Sequence, residues 1–418
     1  MNKTIFLILV LADFTIILLG CRTHSTEPSK NQPNVIILNA IENNIVSSDN
    51  SFGFKLFAQI NGSEQNKNLF ISPFSISMAF GMLLNGANGS TLDSLEQVLG
   101  DAGMLLNDIN NAYKNVSSLL TTLDTHVIFQ NANSIWYRDG FPVLPNFLTD
   151  NKNYFDAEVD SLDFSLPGAV QTINNWVNTK TNGKIPTIID GNIPSNIVMY
   201  LINAIYFKGT WKYKFNTSVT KDASFTCADG SIATCKLMSH ENTYAYYSDN
   251  SVQAIDLPYG DRSFSMTVIL PSSGISIDQF ASALTQAQWN IIISKLDSAK
   301  IDLYLPKFTL NFSKLLSDEL KALGMGIAFD PLRANLTRIS AMSGLYVSEV
   351  LHKTYVDVDE EGTEAAAVTI IGLPGAAMNP DQPVIKVMRI DHPFIFAIRE
   401  HQSGTILFIG KVVNPSGS

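Results

Sequence analysis

The chain has 418 residues, a length that suits one large domain or two small ones. Its formal net charge is −10, and no basic cluster interrupts that balance. Nucleic acid and other polyanions are therefore excluded as expected partners.

Residues 1–20 read as a targeting segment. Lys3 gives a short basic start, and residues 5–19 form an apolar run broken by Asp13 and Thr15. The run is short and carries a charge, so a lasting membrane span is not expected. It closes on Leu18-Leu19-Gly20-Cys21, which resembles a bacterial lipoprotein signal with Cys21 as the lipidated residue. The alternative is an ordinary secretory signal with Cys21 merely nearby. Lipid chains on Cys21 would hold the protein at a membrane surface without a spanning helix. Either way export is expected, to the cell envelope as a lipid-anchored protein or as a secreted, extracellular one. From Arg22 to about Asn34 the chain is polar, with Pro28 and Pro33, and reads as a flexible tether. The expected boundaries are a signal at 1–20, Cys21 and a tether over 21–45, and one domain over 46–415.

The first half of that domain is helix-rich. Phe52, Leu56 and Ile60 recur on one helix face. Ser72 before Pro73 predicts an N-cap with Pro at the first helical position, in a helix running to about Asn85 with Gly86 at its end. Ser90-Thr91-Leu92-Asp93 predicts the start of another helix, which Gly100 stops. Val170, Ile173 and Val177 line a third, with Trp176 beside them and Gly183 beyond its end. The second half is strand-rich. Residues 197–207 are almost continuously apolar, as in a strand buried on both faces, with Asn203 as the lone polar side chain. Residues 263–270 predict another strand, and Ile301, Leu303 and Leu305 alternate with Asp302 and Tyr304 in a one-sided strand. Cys227 and Cys235 flank Ala228-Asp229-Gly230-Ser231, a turn between two strand-like runs. Export permits a disulfide there, and two reduced thiols are the alternative. The pair alone offers too few ligands for a metal. Residues 394–398 and 405–413 predict a closing hairpin across Gln402-Ser403-Gly404. Helices first and strands later make the class α+β.

One stretch reads as a strand with no obvious sheet to join. Thr363, Ala365, Ala367, Thr369 and Ile371 would share one face, all small or apolar; Gly362, Glu364, Ala366, Val368 and Ile370 would share the other. Residues 372–380 then form a turn-rich loop holding Gly372, Pro374, Gly375 and Pro380. Read alone, Glu360, Glu361 and Glu364 would suit a solvated acidic loop, but the apolar alternation after Glu364 disfavours it. Asp357-Val358-Asp359 begins like a calcium loop, yet Val368 stands where a bidentate Glu is needed.

This stretch resembles the reactive-centre loop of serpins, the serine-protease inhibitors. Further matches follow in the family's order: Asn68-Leu69-Phe70-Ile71-Ser72-Pro73-Phe74-Ser75, Asn203-Ala204-Ile205-Tyr206-Phe207-Lys208-Gly209-Thr210-Trp211, Val350-Leu351-His352-Lys353-Thr354 and Asp391-His392-Pro393-Phe394-Ile395-Phe396. The likeness runs from about Asn50 to Pro415. It implies the serpin fold: a helix-rich N-terminal half, a large mixed central sheet, smaller sheets and an exposed reactive loop. It also implies a suicide substrate with no catalytic group of its own, in which a protease cuts the loop, becomes acylated to it, and is carried off as the freed segment enters the sheet. About fifteen inserted residues would span roughly 50 Å.

By the same resemblance Glu360, Gly362, Thr363, Ala365, Ala366 and Ala367 form the hinge, and the family's spacing from Glu360 puts the cleaved bond at Ala376-Ala377. Ser72, Ser75, Asn203 and His352 match a polar cluster beneath the opening sheet, and Trp211 an aromatic at its top. Read without the resemblance, Ser72 is a helix cap, His352 a core histidine and Trp211 ordinary core packing. Ala before the cut suits elastase- or subtilisin-like proteases; no Lys or Arg lies between Lys353 and Lys386 to attract a trypsin-like one. Residues 85–101 lack Lys and Arg, so no heparin-like polymer is expected. The protein is expected to act as a monomer, in covalent complex with its target protease, without cofactor or metal. Two other classes stand beside this reading. An enzyme would need a motif such as Gly-x-Ser-x-Gly or His-Glu-x-x-His, and neither occurs. A non-inhibitory serpin acting as a carrier or chaperone remains as the alternative, which the small-residue hinge disfavours.

Overall fold

The structure, a computed structural model, describes residues 37–363 and 385–417. Residues 1–20, Cys21, most of the tether, Ala365, Ala366, Ala367 and the Ala376-Ala377 bond lie outside the described residues. Nine helices occur among those described: α1 Ala40–Ser63, α2 Pro73–Leu84, α3 Gly89–Leu99, α4 Leu106–Leu120, α5 Pro145–Phe155, α6 Pro167–Lys180, α7 Ile277–Ala283, α8 Gln286–Ser294 and α9 Ser317–Leu323. The strands are β1 Leu69–Ile71, β2 Val127–Arg138, β3 Glu158–Leu162, β4 Met199–Thr210, β5 Lys221–Thr226, β6 Ile232–Ser248, β7 Val252–Pro258, β8 Phe264–Pro271, β9 Asp297–Pro306, β10 Phe308–Leu315, β11 Leu351–Val358, β12 Gly362–Thr363, β13 Lys386–Arg389, β14 Phe394–Glu400 and β15 Ile406–Val412.

The helix signals act where the sequence puts them, with small shifts. Asn39 caps α1 in a reciprocal box with Glu42, so the helix starts inside the stretch assigned to the tether. Ser72 caps α2 by accepting from the Ser75 N–H. The cap of α3 is Asn88, two residues before Ser90, because its side chain reaches the Gly89 N–H; Gly100, at φ +89°, ends the helix in the left-handed region. α2 is buried almost all round because it packs on both β4 and β15, one strand from each sheet.

Two mixed sheets hold the strands. One has nine, in the order β1-β15-β14-β8-β7-β6-β9-β13, with β5 paired to β6. β8, β14 and β15 are buried along their whole length, and the 394–400 and 406–412 runs pair as the expected hairpin. The other sheet has six, in the order β10-β11-β12-β4-β2-β3. α6 lies on this sheet over a separate apolar cluster that joins Ile173, Trp176 and Val177 to Trp136, Ile202 and Ala204.

Cys227 and Cys235 are free and buried. The strand register explains why the permitted bridge does not form. Cys235 lies opposite Ala223, whereas Cys227 follows the end of β5, where its N–H donates to the Ser231 carbonyl. The two thiols are therefore offset along the ribbon instead of facing across it.

Under the helical layer, Asp49 of α1 accepts a hydrogen bond from the Tyr113 hydroxyl of α4 at 2.8 Å. Neither carboxylate oxygen of buried Asp101 has a hydrogen-bond partner, nor does the Ser77 hydroxyl. Burial first, and the negative charge of Glu96 second, push the Asp101 carboxyl up to about 7. The folded protein thus holds a proton there that the unfolded chain releases near pH 4. This contribution is complete below about pH 4 and is lost as pH rises toward and through about 7. Asp101→Asn should raise Tm by a few degrees at pH 8 and much less at pH 5; thermal melts of both proteins at both pH values measure the difference.

Candidate functional site

β4 and β11 run in the same direction, and β12 lies between them antiparallel to both. β12 is only two residues long. Thr363 faces Val358 of β11 on one side and Gly209 of β4 on the other. Below that level no described strand pairs with the facing edges of β4 and β11. A cavity of about 530 Å³ lies there instead, lined by α2, the 185–204 stretch and residues 342–353. This corrects one sequence expectation. Residues 199–201 of β4 are only half-buried, because this edge of the strand flanks a slot instead of a neighbour.

The hinge has already entered the top of the slot. Thr363 is 2% exposed, and its hydroxyl meets the hydroxyl of Tyr259. Gly362 is needed there for a reason other than backbone angle, since its φ is not positive. A Cβ on Gly362 would lie 2.0 Å from the Gly209 carbonyl oxygen, so only glycine lets the two chains approach.

Four further residues hold the entering ribbon. The Trp211 indole donates to the Asp359 carbonyl at 2.8 Å, and its backbone N–H donates to the Glu361 carbonyl at 2.9 Å. The same indole stacks on Tyr259, with ring centroids 4.5 Å apart. Lys307 and Thr220 both donate to the Glu360 carboxylate, at 2.6 and 2.8 Å. Lys214 donates to Glu361 at 2.6 Å. Burial alone would raise the Glu360 carboxyl, but the hydrogen bonds from Lys307 and Thr220 outweigh it and hold the group below its ordinary value.

The polar residues lower down divide across the slot. On the β11 side, buried His352 accepts from the Ser72 N–H at 3.1 Å through Nε2. Its pKa is pushed down to about 3 by burial, so the ring is neutral and its proton sits on Nδ1. Ser72 donates to the Leu407 carbonyl at 2.7 Å and accepts from the Ser75 N–H. Asn203, across the slot on β4, bonds Asn131 and Asn133 of β2 instead. Its buried Oδ1 has no partner. Ser75, Asn203 and His352 all line the cavity, and Trp211 sits at its upper end beside the hinge.

A family model described as Serpin (serine protease inhibitor) matches residues 47–415. The chain belongs to the serpin family. Leukocyte elastase inhibitor from Sus scrofa is 33% identical over 383 residues, covering 88% of this chain and 99% of that protein. The native-state crystal structure of the thermophilic serpin tengpin superposes with a TM-score of 0.80 at 31% identity, covering 91% of this chain and 95% of the other. Human thyroxine-binding globulin complexed with its hormone gives 0.82 at 28%, covering 90% and 100%. Serpins are thus protease inhibitors by family, with inhibitors among the relatives and a thyroxine-binding globulin among the structural neighbours.

Within the serpin frame, Tyr259, Lys307, Lys214, Thr220, Asn131 and Asn133 are site residues that sequence reasoning missed. No local signal marks them; each acts through a partner far away in the chain. Lys307 and Glu360 form a partly buried pair, so removing either should loosen the hinge. Lys307→Ala and Glu360→Ala should each lower stability, and the double variant should be little worse than either. A coupling of about 1–2 kcal/mol is expected in a double-mutant cycle from denaturant melts. Because the Glu360 carboxyl is held low, the coupling should persist at neutral pH and fade as pH falls below the ordinary carboxylate range.

Proposed function

We propose that this serpin inhibits serine proteases as a suicide substrate, its cut loop entering the slot between β4 and β11 as a full strand. The observation that carries the reading is the register of β12. A strand continued antiparallel from Thr363 would set Ala365 between Val356 and Phe207, Ala367 between Thr354 and Ile205, and Thr369 between His352 and Asn203. Small residues then fall between bulky ones on the core side. A hydroxyl arrives beside the unpartnered Asn203 Oδ1. On the opposite face Glu364 falls between Asp357 and Lys208, where it has a cation for company. Each step of the ribbon therefore suits the two edges it would join.

Ala376-Ala377 is the proposed cleaved bond. Leu373-Pro374-Gly375 ahead of it suits a shallow apolar pocket, and elastase- or subtilisin-type enzymes are the proposed targets. We further propose that the protein is exported and held by lipid on Cys21, so that it meets its target at the cell surface as a monomer. The carrier reading, favoured only by the cavity and the thyroxine-binding neighbour, needs no strand insertion.

Nicking between residues 371 and 378 separates the two. Roughly ten inserted residues would add ladder bonds to both edges and stabilise the molecule on the order of 10 kcal/mol, a large upward shift in Tm. A nicked protein that melts where the intact one does is a carrier or an inert substrate. Incubation with an elastase-type protease should give a covalent complex that survives denaturing gels. Thr363→Arg puts an unpaired charge into the Tyr259 seat, so it should abolish the complex and convert the protein to a cleaved substrate while leaving its helical CD unchanged.

A further inference from the structure

Asp124, His126 and Asp261 come together at the upper end of the six-stranded sheet, away from the slot. Asp124 lies in the α4–β2 connection, His126 immediately before β2, and Asp261 in the β7–β8 turn. Among the described residues, these three bring one ligand atom each within 4.8 Å of one another. The Asp124 side chain is fully buried and fixed: its oxygens accept from the His126 N–H at 2.9 Å and the Asp261 N–H at 2.7 Å. The His126 ring is 61% exposed.

The ring does not make the contact expected of a histidine beside two carboxylates. Its Nδ1 is 3.6 Å from Asp124 Oδ1 and 3.3 Å from Asp261 Oδ2, longer than a charge-assisted bond, and no hydrogen bond joins it to either. Those separations match another geometry. Nitrogen and oxygen ligands at about 2.0–2.2 Å from a tetrahedral ion are roughly 3.3–3.6 Å apart. The cradle also depends on residue 260 having no side chain. A Cβ on Gly260 would lie 2.6 and 2.7 Å from the two Asp124 oxygens and 2.8 Å from the His126 Cβ.

We propose that Asp124, His126 and Asp261 form a binding site for a divalent transition-metal ion of the zinc class, with the fourth position open to solvent beside His126. An imidazole ligand favours such an ion over magnesium or calcium. The site ties the start of β2 to the turn that carries Tyr259. Val127, the next residue after His126, lies opposite Gly209, which in turn faces Thr363. A bound ion therefore braces the seat of the hinge from outside the slot.

The test uses the full chain and the metal alone. Co²⁺ should give the visible d–d absorption of a tetrahedral site in the wild type, and Zn²⁺ should displace it. His126→Ala and Asp261→Asn, which leave the buried Asp124 cap in place, should each weaken Zn²⁺ binding by about ten- to a hundredfold. Zn²⁺ should raise the Tm of the wild type and not of either variant, and all three proteins should melt alike without metal. Absence of the Co²⁺ spectrum, or equal Zn²⁺ affinity in wild type and variants, overturns the proposal. Neither readout involves a protease, so the outcome is independent of whether the loop traps one.

Discussion

The separation of β4 from β11 is the constraint on which the rest of the molecule depends. Two strands of one sheet run side by side in the same direction, and among the described residues only Gly362 and Thr363 bridge them. Strand edges want partners, and here the side chains flanking the gap are ready for one. The nine-stranded sheet supplies the contrast. Its strands β8, β14 and β15 are buried at every residue. A fully buried set of strands in one sheet thus faces a slot in the other.

The top and the middle of the slot are held by different chemistry. At the top the contacts are strong and charge-assisted: Lys307 and Lys214 on the hinge glutamates, with Trp211 and Tyr259 packed beneath. They fix where the ribbon enters. Lower down, a neutral His352 and an amide cluster each bind to their own side, and no hydrogen bond joins Asn203 to His352. Parting the strands there leaves those bonds intact. The cover on the outer face is similarly sparse, with Lys353 on Asp190 and Lys184 over Tyr355 connecting β11 to the segment after α6.

Much of the fold was legible because its signals are local. The Ser72-Pro73 cap, the alternation through Ile301, Leu303 and Leu305, and the 394–413 hairpin all depend on neighbours in sequence. The hinge was legible as a pattern of small residues, but its state was not. That Thr363 is already seated depends on Tyr259, a hundred residues earlier in the chain, and on a glycine at 209. The role of Gly362 was not legible for the same reason: close approach to another backbone leaves no mark in a single strand's sequence. Ser72 and His352 were rightly placed together, while Asn203 belongs to a separate set across the gap. The cysteine pair failed on register, which a turn of uncertain length does not specify. The Asp124, His126 and Asp261 cluster joins residues far apart in the chain and so escaped any spacing rule.

Gly209 faces Val127 on one side and Thr363 on the other, and an added Cβ would fall 2.7 Å from the Tyr259 ring. Three chain segments thus converge on one residue that has no side chain to offer. The consequence is evolutionary. A side chain at Gly209 would press on Tyr259 and Phe207 of the core, whereas one at Gly362 would first meet the backbone of Gly209 and Thr210, so drift at 362 is the change that descendants could carry and still fold. What they would forfeit is the docking of Gly362 and Thr363 beside Gly209, which makes position 362 the quietest place for that contact to be lost.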